Sequence, residues 1–354
     1  MTINTVRSEE LAQVLYDDRT LKPPRTWWLD TFFQSEVRFD TTEVHLSKVV
    51  GHAKLAPLRV PTAHGKPIYE RAERIETIAP AYLKPKDPIR PDDVMERRAG
   101  FGETGPYQIM GSMSPEARLR ALRTAILQDH KNAIIRRWEW MAVQAITEGK
   151  VVLSGEDYPE TVVDFRRDPA LDVTLAPADQ WTNFGVNVVE QFEAWFDAML
   201  EASFGGPARM VVMGRKAWAA LRRNESLKEL LDRNLLTTSR PTADLNMRDP
   251  ADDYISEVGT LRNGIPIYVF SGQYQADDGT WVDYMDARDV VLVGAVSGVR
   301  LFGAIQDLNH LRPVPMWPKA WMENDPSVEF LMTQSAPLMF PRGINRTMRI
   351  RVVA

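Results

Sequence analysis

Cysteine is absent from this chain of 354 residues, which excludes disulfides, thiolate metal sites and cysteine nucleophiles. Long apolar runs are also missing: no stretch approaches the roughly 18 residues that a membrane span needs, and residues 1–18 lack the apolar core of a signal peptide. The formal net charge of -5 is not the basic balance of a dedicated nucleic-acid binder. We therefore expect a soluble protein, made in the cytoplasm, with no membrane partner.

One long helical pattern, which we name the spine helix, covers residues 115–148. Ser114 suits the N-cap, Pro115 the first helical position, and Gly149 the left-handed residue that ends a helix. The apolar positions recur at helical spacing: Leu119, Leu122, Ile126, Ile134, Trp138, Met141 and Ala145. The other side carries the cations Arg120, Arg123, Lys131 and Arg137. Such cations usually form a solvated face. The alternative is that they face a phosphate-rich interior.

Residues 1–50 are predicted to form an N-terminal arm. A short helix is predicted at residues 8–17 and a strand at residues 41–50. Between them lies an aromatic cluster consisting of Trp27, Trp28, Phe32 and Phe33. Because an exposed apolar patch of this size is a liability, the cluster must be buried. It packs either on its own domain or on a neighbouring chain, and the sequence leaves both open.

Residues 51–105 are rich in proline and mixed charge and offer few apolar residues for a core. A structureless stretch of this length is unusual inside a compact domain. A projecting β-hairpin that another subunit stabilises resolves the conflict, with β-type runs at residues 66–70 and 74–78.

The remainder alternates strands and helices, which indicates a small α/β unit. A hairpin is predicted at residues 151–154 and 161–165, and Asn263-Gly264 and Asp278-Gly279 are typical of tight hairpin turns. Helices are predicted at residues 186–204 and 216–234. Further strands are predicted at residues 209–213, 268–270, 290–293, 299–302, 328–340 and 346–353.

Catalytic and ligand motifs give no positive signal. Gly100 to Gly105 match G-x-G-x-x-G, but no buried strand precedes them and no helix opens directly after them, as dinucleotide binding requires. The five histidines show no metal-ligand spacing, and we expect His130 to be a hydrogen-bonded structural residue. We predict no catalytic residue, no cofactor site and no metal site.

Several short stretches, spread from residue 29 to residue 340, carry a family resemblance. They are LDTFF (29–33), FDTTEV (39–44), IAPAYLKPK (78–86), EGK (148–150), SGE (154–156), YVFSGQY (268–274), PKAW (318–321) and DP, EF and TQSAPLM within 325–339. Together and in this order they resemble the lambda-type major capsid (major head) protein family of tailed bacteriophages. Residues 177–262 match least.

The resemblance implies an α+β chain with the tailed-phage major capsid fold, also called Hong Kong 97-like. This fold has an N-arm, an extended loop, a peripheral domain and an axial domain. The implied divisions are an N-terminal arm at 1–50, an extended loop at 51–105, a peripheral domain at 106–167 containing the spine helix, an axial domain at 168–308, closing strands of the peripheral domain at 309–340 and a C-terminal strand at 341–354.

The function implied is structural and not enzymatic. Pentamers and hexamers of the chain would form an icosahedral head around double-stranded DNA, without sequence-specific binding, and the assembled virion would arise in the host cytoplasm. Scaffold, portal and decoration proteins are the implied partners. We expect the extended loop to overlap a neighbouring subunit, and a chain without residues 1–33 to fold but to form no stable shell. The predicted assembly interface consists of Trp27, Trp28, Phe32, Phe33, Arg71, Arg74, Tyr82, Lys84 and Lys86.

Two alternatives stay open from the sequence. An encapsulin-like cellular compartment would share the fold but enclose a protein cargo instead of DNA. A nucleotide-dependent enzyme would use the glycine-rich segment from Gly100 to Gly105.

Overall fold

The computed structural model describes residues 8–17, 24, 26–41, 44–49, 73–78, 80–95, 114–155, 158–224, 255–261, 264–308 and 312–354, with backbone alone for 44–49 and 73–77. The glycine-rich segment at 100–105 and the interface candidate Arg71 lie outside the described residues. No helix in the described part of the chain combines the length and the apolar character that crossing a bilayer demands.

The spine helix is present as α4, Pro115–Thr147, and its ends follow the predicted chemistry. The Ser114 hydroxyl accepts from the backbone N–H of Ala117, and Pro115 occupies the first turn. Gly149 has a φ of 69°, the left-handed conformation expected after a helix. The other described helices are α1 (Ser8–Tyr16), α2 (Trp27–Phe32), α3 (Pro91–Met95), α5 (Val188–Glu201) and α6 (Arg215–Leu221).

A six-stranded mixed sheet forms one half of the molecule. Its strand order is β7 (Asp172–Thr174), β18 (Thr347–Arg351), β13 (Asp289–Val293), β8 (Met210–Gly214), β10 (Pro266–Phe270) and β9 (Ile255–Thr260). The central strands β8 and β13 are buried and pair antiparallel, whereas β8 and β10 pair parallel.

The other described strands form smaller sheets, three of which contact the spine helix. One has the order β1 (Ser35–Arg38), β14 (Ser297–Phe302) and β17 (Pro337–Arg342), and another has the order β15 (Trp317–Asn324), β16 (Ser327–Gln334) and β4 (Lys86–Ile89). The two-stranded pairs are β2 (Val44–Val49) with β3 (Glu73–Ile78), β5 (Lys150–Gly155) with β6 (Tyr158–Asp164), and β11 (Gln273–Gln275) with β12 (Trp281–Asp283).

The six-stranded sheet separates two apolar cores. Alternate residues of a strand point to opposite faces, so Val291 and Val293 of β13 join the core that contains the spine helix, whereas Val290 and Leu292 join the core that contains α5. The spine-helix core also holds α2, and the second core is built around Trp181, Phe192 and Trp195. The sheet therefore connects the spine helix to the smaller α/β unit.

Several local predictions need correction. The helix predicted at 216–234 ends at Leu221, and residues 225–234 lie outside the described part of the chain. The strand predicted at 328–340 is two strands, β16 and β17, and β15 was missed because Pro318 interrupts its apolar pattern. β4 lies inside the segment predicted as a projecting hairpin, yet it pairs with β16. β2, assigned to the arm, pairs with β3 of that segment.

Candidate assembly interface

The predicted aromatic anchors form part of the subunit's own core. Trp28 and Phe33 are fully buried, Phe32 is 4% exposed, and Trp27 is half-buried against the ring of Tyr268. The Trp28 ring meets the Phe270 ring edge-on, with centroids 5.7 Å apart. Of the two packing options that the sequence left open, the structure shows packing of this cluster on its own chain. A contact of the cluster with a neighbouring subunit stays a prediction.

The position of Phe33 depends on a glycine that faces it. A Cβ placed on Gly298 of β14 would lie 2.3 Å from Cδ1 of the Phe33 ring. Because Phe33 is buried, the ring has no free space into which it can move. This contact and the pairing of β1 with β14 hold the arm on the sheet.

Gly298→Ala is therefore expected to lower the free energy of unfolding by about 1–3 kcal/mol, the usual cost of overpacking a core. Chemical unfolding of the unassembled subunit measures the effect. Gly264→Ala is not a suitable control because of its left-handed φ, so we choose Gly185→Ala, whose added Cβ would find no atom closer than 3.9 Å. Equal stability of the two variants would contradict the packing argument.

A buried carboxylate fixes the start of α2. Glu139 of the spine helix is 1% exposed, and its Oε1 and Oε2 accept from the backbone N–H groups of Trp28 and Leu29 at 2.9 and 3.0 Å. The N-cap residue Thr26 makes no side-chain cap bond. Glu139 thus satisfies the free amides at the start of α2, although about 110 residues separate it from them in sequence.

Burial raises the pKa of Glu139 to about 7, although the two backbone donors act in the opposite direction. Between the unfolded value of 4.5 and this folded value, the native state holds a proton that the unfolded chain releases. The contribution of Glu139 to stability is therefore greatest at the acid end of this window and is lost as the pH rises through about 7.

We expect this contribution to change by about 1.4 kcal/mol for each pH unit within the window. Urea unfolding of the wild type and of Glu139→Gln between pH 5 and pH 8 measures the change as a difference between the two curves. The difference is needed because burial lowers the pKa of His130, which makes acid destabilising at that residue. Parallel curves would refute the assignment to Glu139.

Polar side chains also attach the spine helix to the sheet formed by β15, β16 and β4. The Arg123 guanidinium binds both carboxylate oxygens of Glu329, with nitrogen–oxygen distances of 2.9 to 3.1 Å, and both side chains are buried. His130 contacts the Thr333 hydroxyl at 3.1 Å and the Asp87 carboxylate at 2.9 Å. The structural role predicted for His130 is confirmed.

The prediction that the four cations of the spine helix form a solvated face is partly wrong. Arg120 and Arg137 are exposed, but Arg123 and Lys131 are only 7% and 6% exposed. The reason is that the spine helix is covered by strands on more than one side, so that part of its cationic face enters the protein. Buried Arg123, with its carboxylate partner, is not available to a phosphate-rich surrounding.

A second ion-pair network connects the end of the spine helix to the six-stranded sheet. Arg167 donates to the carbonyls of Ile146 and Thr147, the last turn of the helix. Arg349 of β18 binds Glu148, directly after the helix, and it also binds the buried carboxylate of Asp289 on β13 at 2.7 Å. Burial raises the pKa of Glu148, and the charge of Arg349 partly opposes this effect.

Of the remaining interface candidates, Tyr82, Lys84 and Lys86 lie in or just before β4, the edge strand of the β15–β16–β4 sheet. The Tyr82 hydroxyl donates to Gln334 at 2.8 Å and accepts from the backbone of Gln306. Lys84 and Lys86 are exposed; Lys84 lies over the Tyr82 ring, and Lys86 lies 4.0 Å from the centre of the Phe330 ring. Arg74 is opposite Lys48 in the β2–β3 register, with its backbone alone described. The structure thus brings Tyr82, Lys84 and Lys86 close together, and Tyr82 packs with a different apolar cluster from the one that contains the aromatic residues of the arm.

Sequence reasoning missed the polar residues that hold these elements together, above all Glu139, Glu329 and Arg349. The sequence contains no clear signal for Glu139, because adjacent residues of a helix point in different directions and a position next to Trp138 does not place the carboxylate on the apolar stripe. The described residues contain no group of three or more histidine or acidic side chains that could bind a metal ion.

The fold is shared with solved capsid proteins. A solved capsid protein of an Escherichia coli CFT073 prophage superposes with a TM-score of 0.73 at 24% identity, covering 99% of this chain and 100% of that one. The mature capsid protein of bacteriophage PhiM1 superposes with a TM-score of 0.51 at 11% identity, covering 92% and 87% of the two chains. The predicted α+β capsid fold is confirmed.

The family follows from the sequence comparison. The model of the family described as phage major capsid protein E matches residues 10–352. The chain belongs to this family. It is 28% identical to the major capsid protein of Escherichia phage lambda over 318 residues, covering 88% of this chain and 89% of that protein. It is 29% identical to that of Enterobacteria phage P21 over 322 residues, covering 89% and 90%. The predicted function, a structural major capsid protein of the tailed-phage virion, is confirmed.

Proposed function

We propose that copies of this chain assemble as pentamers and hexamers into a closed icosahedral head that encloses double-stranded DNA. The observation that supports this most strongly is the family match, which runs through both cores and nearly the whole chain. Scaffold and portal proteins would start assembly and set its geometry, and a decoration protein would bind the outer surface. Relatives of the chain are named as major capsid proteins, and this structural role supports the proposal that the chain has no catalytic activity.

We assign the proposed contacts to the segments predicted from the sequence. The arm at 1–50, the extended loop at 51–105 and the peripheral parts at 106–167 and 309–340 would carry the contacts between capsomers. The axial domain at 168–308, with the C-terminal strand at 341–354, would surround the capsomer axis. The pairing of β18 with β13 supports placing the C-terminal strand with the axial domain.

The proposed contact surface includes the exposed cations Lys84 and Lys86 together with Tyr82, Arg71 and Arg74. Exposed cations beside aromatic rings suit an interface rim, where charge gives specificity and rate more than affinity. Trp28, Phe32 and Phe33 would contribute indirectly, by fixing the arm on the subunit. The part of the extended loop from Ala56 to Arg98 would overlap a neighbour and be protected from protease in shells but not in free subunits.

Particle contents test the proposal against the encapsulin-like alternative. Particles from phage-producing cells should protect DNA from nuclease, and shells made from the chain alone or with a scaffold should contain no dedicated enzyme. A single cellular enzyme captured in stoichiometric amount would contradict the proposal. The family match and the curated relatives, which are phage head proteins, favour a phage head over an encapsulin-like compartment.

A further inference from the structure

The short hairpin formed by β11 and β12 has several side-chain hydrogen bonds around its turn. Strands of three residues are marginal by themselves, but here the Asp278 carboxylate accepts from the backbone N–H and the hydroxyl of Thr280 at 2.9 and 2.6 Å. Gly279 takes the left-handed conformation with a φ of 82°, and its carbonyl accepts from the side chain of Gln275. At the base, Asp283 pairs with Arg215 of α6. These contacts stabilise the turn.

The two faces of this hairpin differ. Tyr274 lies on the inner face, where its ring contacts Tyr284 at 5.1 Å. The cross-strand pair of Gln275 and Trp281 lies on the other face, and the Trp281 side chain is 67% exposed. A large aromatic ring that is mostly exposed to water contributes little to the core of its own subunit, and aromatic rings are the residues that most often anchor protein interfaces.

A groove of complementary character lies beside the spine helix. It has a volume of about 340 Å³, and its walls come from the spine helix, from the segment around Tyr82 and from the β5–β6 hairpin. Apolar atoms of Ile134, Met141 and Leu153 form part of the lining, with the exposed cations Lys84 and Arg137. Among the described lining residues there is no carboxylate, and none belongs to the chain's own β11–β12 hairpin.

We propose that the β11–β12 hairpin of one subunit docks in this groove of a second copy, with Trp281 as the anchor. The hairpin segment 273–283 carries the exposed Asp277 and Asp278 and no basic residue, while Asp283 is already paired with Arg215. The exposed charges of the turn are therefore opposite to those of Lys84 and Arg137, the charged side chains among the described lining residues. Two different surfaces that fit one another generate a head-to-tail contact, which closes into a ring when the rotation permits. The inference rests on the proposed shell and names one of its contacts.

Because the chain has no cysteine, an introduced pair reports this contact without background. Gln275→Cys places a thiol beside Trp281, and Ser154→Cys places one on the exposed edge of the groove. In oxidised particles of the double variant, we expect a ladder of disulfide-linked subunits on a non-reducing gel. Each single variant should give no ladder of this kind, and neither should a matched control that pairs Gln275→Cys with Ser203→Cys, an exposed serine outside the groove lining.

Two further variants test the energetics and the charge. Trp281→Ala should raise the concentration needed for assembly about 30-fold, the effect of losing an interface anchor, without changing the unfolding of the free subunit. Asp277→Arg and Arg137→Asp should each reduce assembly, and the two together should restore it. Rescue by the pair supports direct contact, because two independent surface defects would add instead.

The outcomes separate the inference from the proposed function. The docking is wrong if the wild type forms particles but the double cysteine variant gives no disulfide ladder and Trp281→Ala assembles normally. The proposed shell would stand in that case. A linkage of the hairpin thiol to a different protein of the particle would also overturn the docking. Failure of the wild type to form particles under any condition would overturn the proposed function and the docking together.

Discussion

Arg123→Met is expected to destabilise the subunit by about 3–5 kcal/mol, one of the two largest effects of a single substitution that this structure predicts. The substitution removes a guanidinium that binds both oxygens of Glu329 and leaves that carboxylate, 4% exposed, without its partner in the interior. An uncompensated buried charge costs far more than the ion pair contributes in net stability. Urea unfolding of the free subunit, followed by tryptophan fluorescence, measures the loss.

The matched control replaces both partners. Arg123→Met with Glu329→Leu fills the same region with apolar side chains and removes both charges, so we expect it to recover most of the stability that the single variant loses. A single variant that loses less than about 1 kcal/mol, or a double variant no better than the single one, would show that the pair is solvated and not buried.

Glu139→Ala is expected to be nearly as damaging, at about 2–4 kcal/mol, because it removes the acceptor of two buried backbone N–H groups. The cost falls on α2 and its neighbours, where Trp28 and Leu29 are packed. We therefore expect earlier protease cleavage in the arm as well as a lower unfolding midpoint.

Glu139→Gln is a milder substitution at the same position, and it is compared with Glu139→Ala. Its side chain keeps one acceptor, but it turns an amide donor toward the second N–H, so its stability at pH 5, where the contribution of Glu139 is large, should lie between those of the wild type and the alanine variant. If both variants unfold with the wild type, the contact between Glu139 and α2 is not formed in solution.

Helices and hairpins with strong local signals were predictable from the sequence. The spine helix matched because its cap, its first proline and its terminal glycine all agree with its apolar spacing. The turns at Gly264 and Gly279 matched because a left-handed residue there leaves few alternatives to glycine. These features depend only on neighbouring residues.

Features that depend on distant residues were not predictable in the same way. β4 is a four-residue strand containing Pro88, and only the presence of β16 makes it a strand. Glu139 and Arg123 look like surface charges until α2 and β16 cover them. The same holds for the arm: with Trp28, Phe32 and Phe33 buried on their own chain, removal of residues 1–33 is now expected to expose the core and destabilise the subunit itself.

The candidate interface shows the same limit. An aromatic cluster is a valid signal for burial, but sequence does not say whether the covering surface belongs to the same chain or to another. Trp281, which lies in an acidic hairpin, gave no signal in sequence beyond its turn, and it became a candidate anchor only through its exposure. Lys84 and Lys86 are exposed, and their contact with another subunit stays a prediction.

The central claim is that this chain is the repeating subunit of a shell, and the mass of its assemblies tests this most directly. Light scattering on a sizing column, with negative-stain imaging of the high-mass fraction, should give rings of five or six subunits of 40.2 kDa and hollow round particles built from them. The chain should be expressed alone and together with the neighbouring head genes, because a scaffold is a proposed partner. A monomer or dimer under both conditions, with no larger particle in either, would contradict the account.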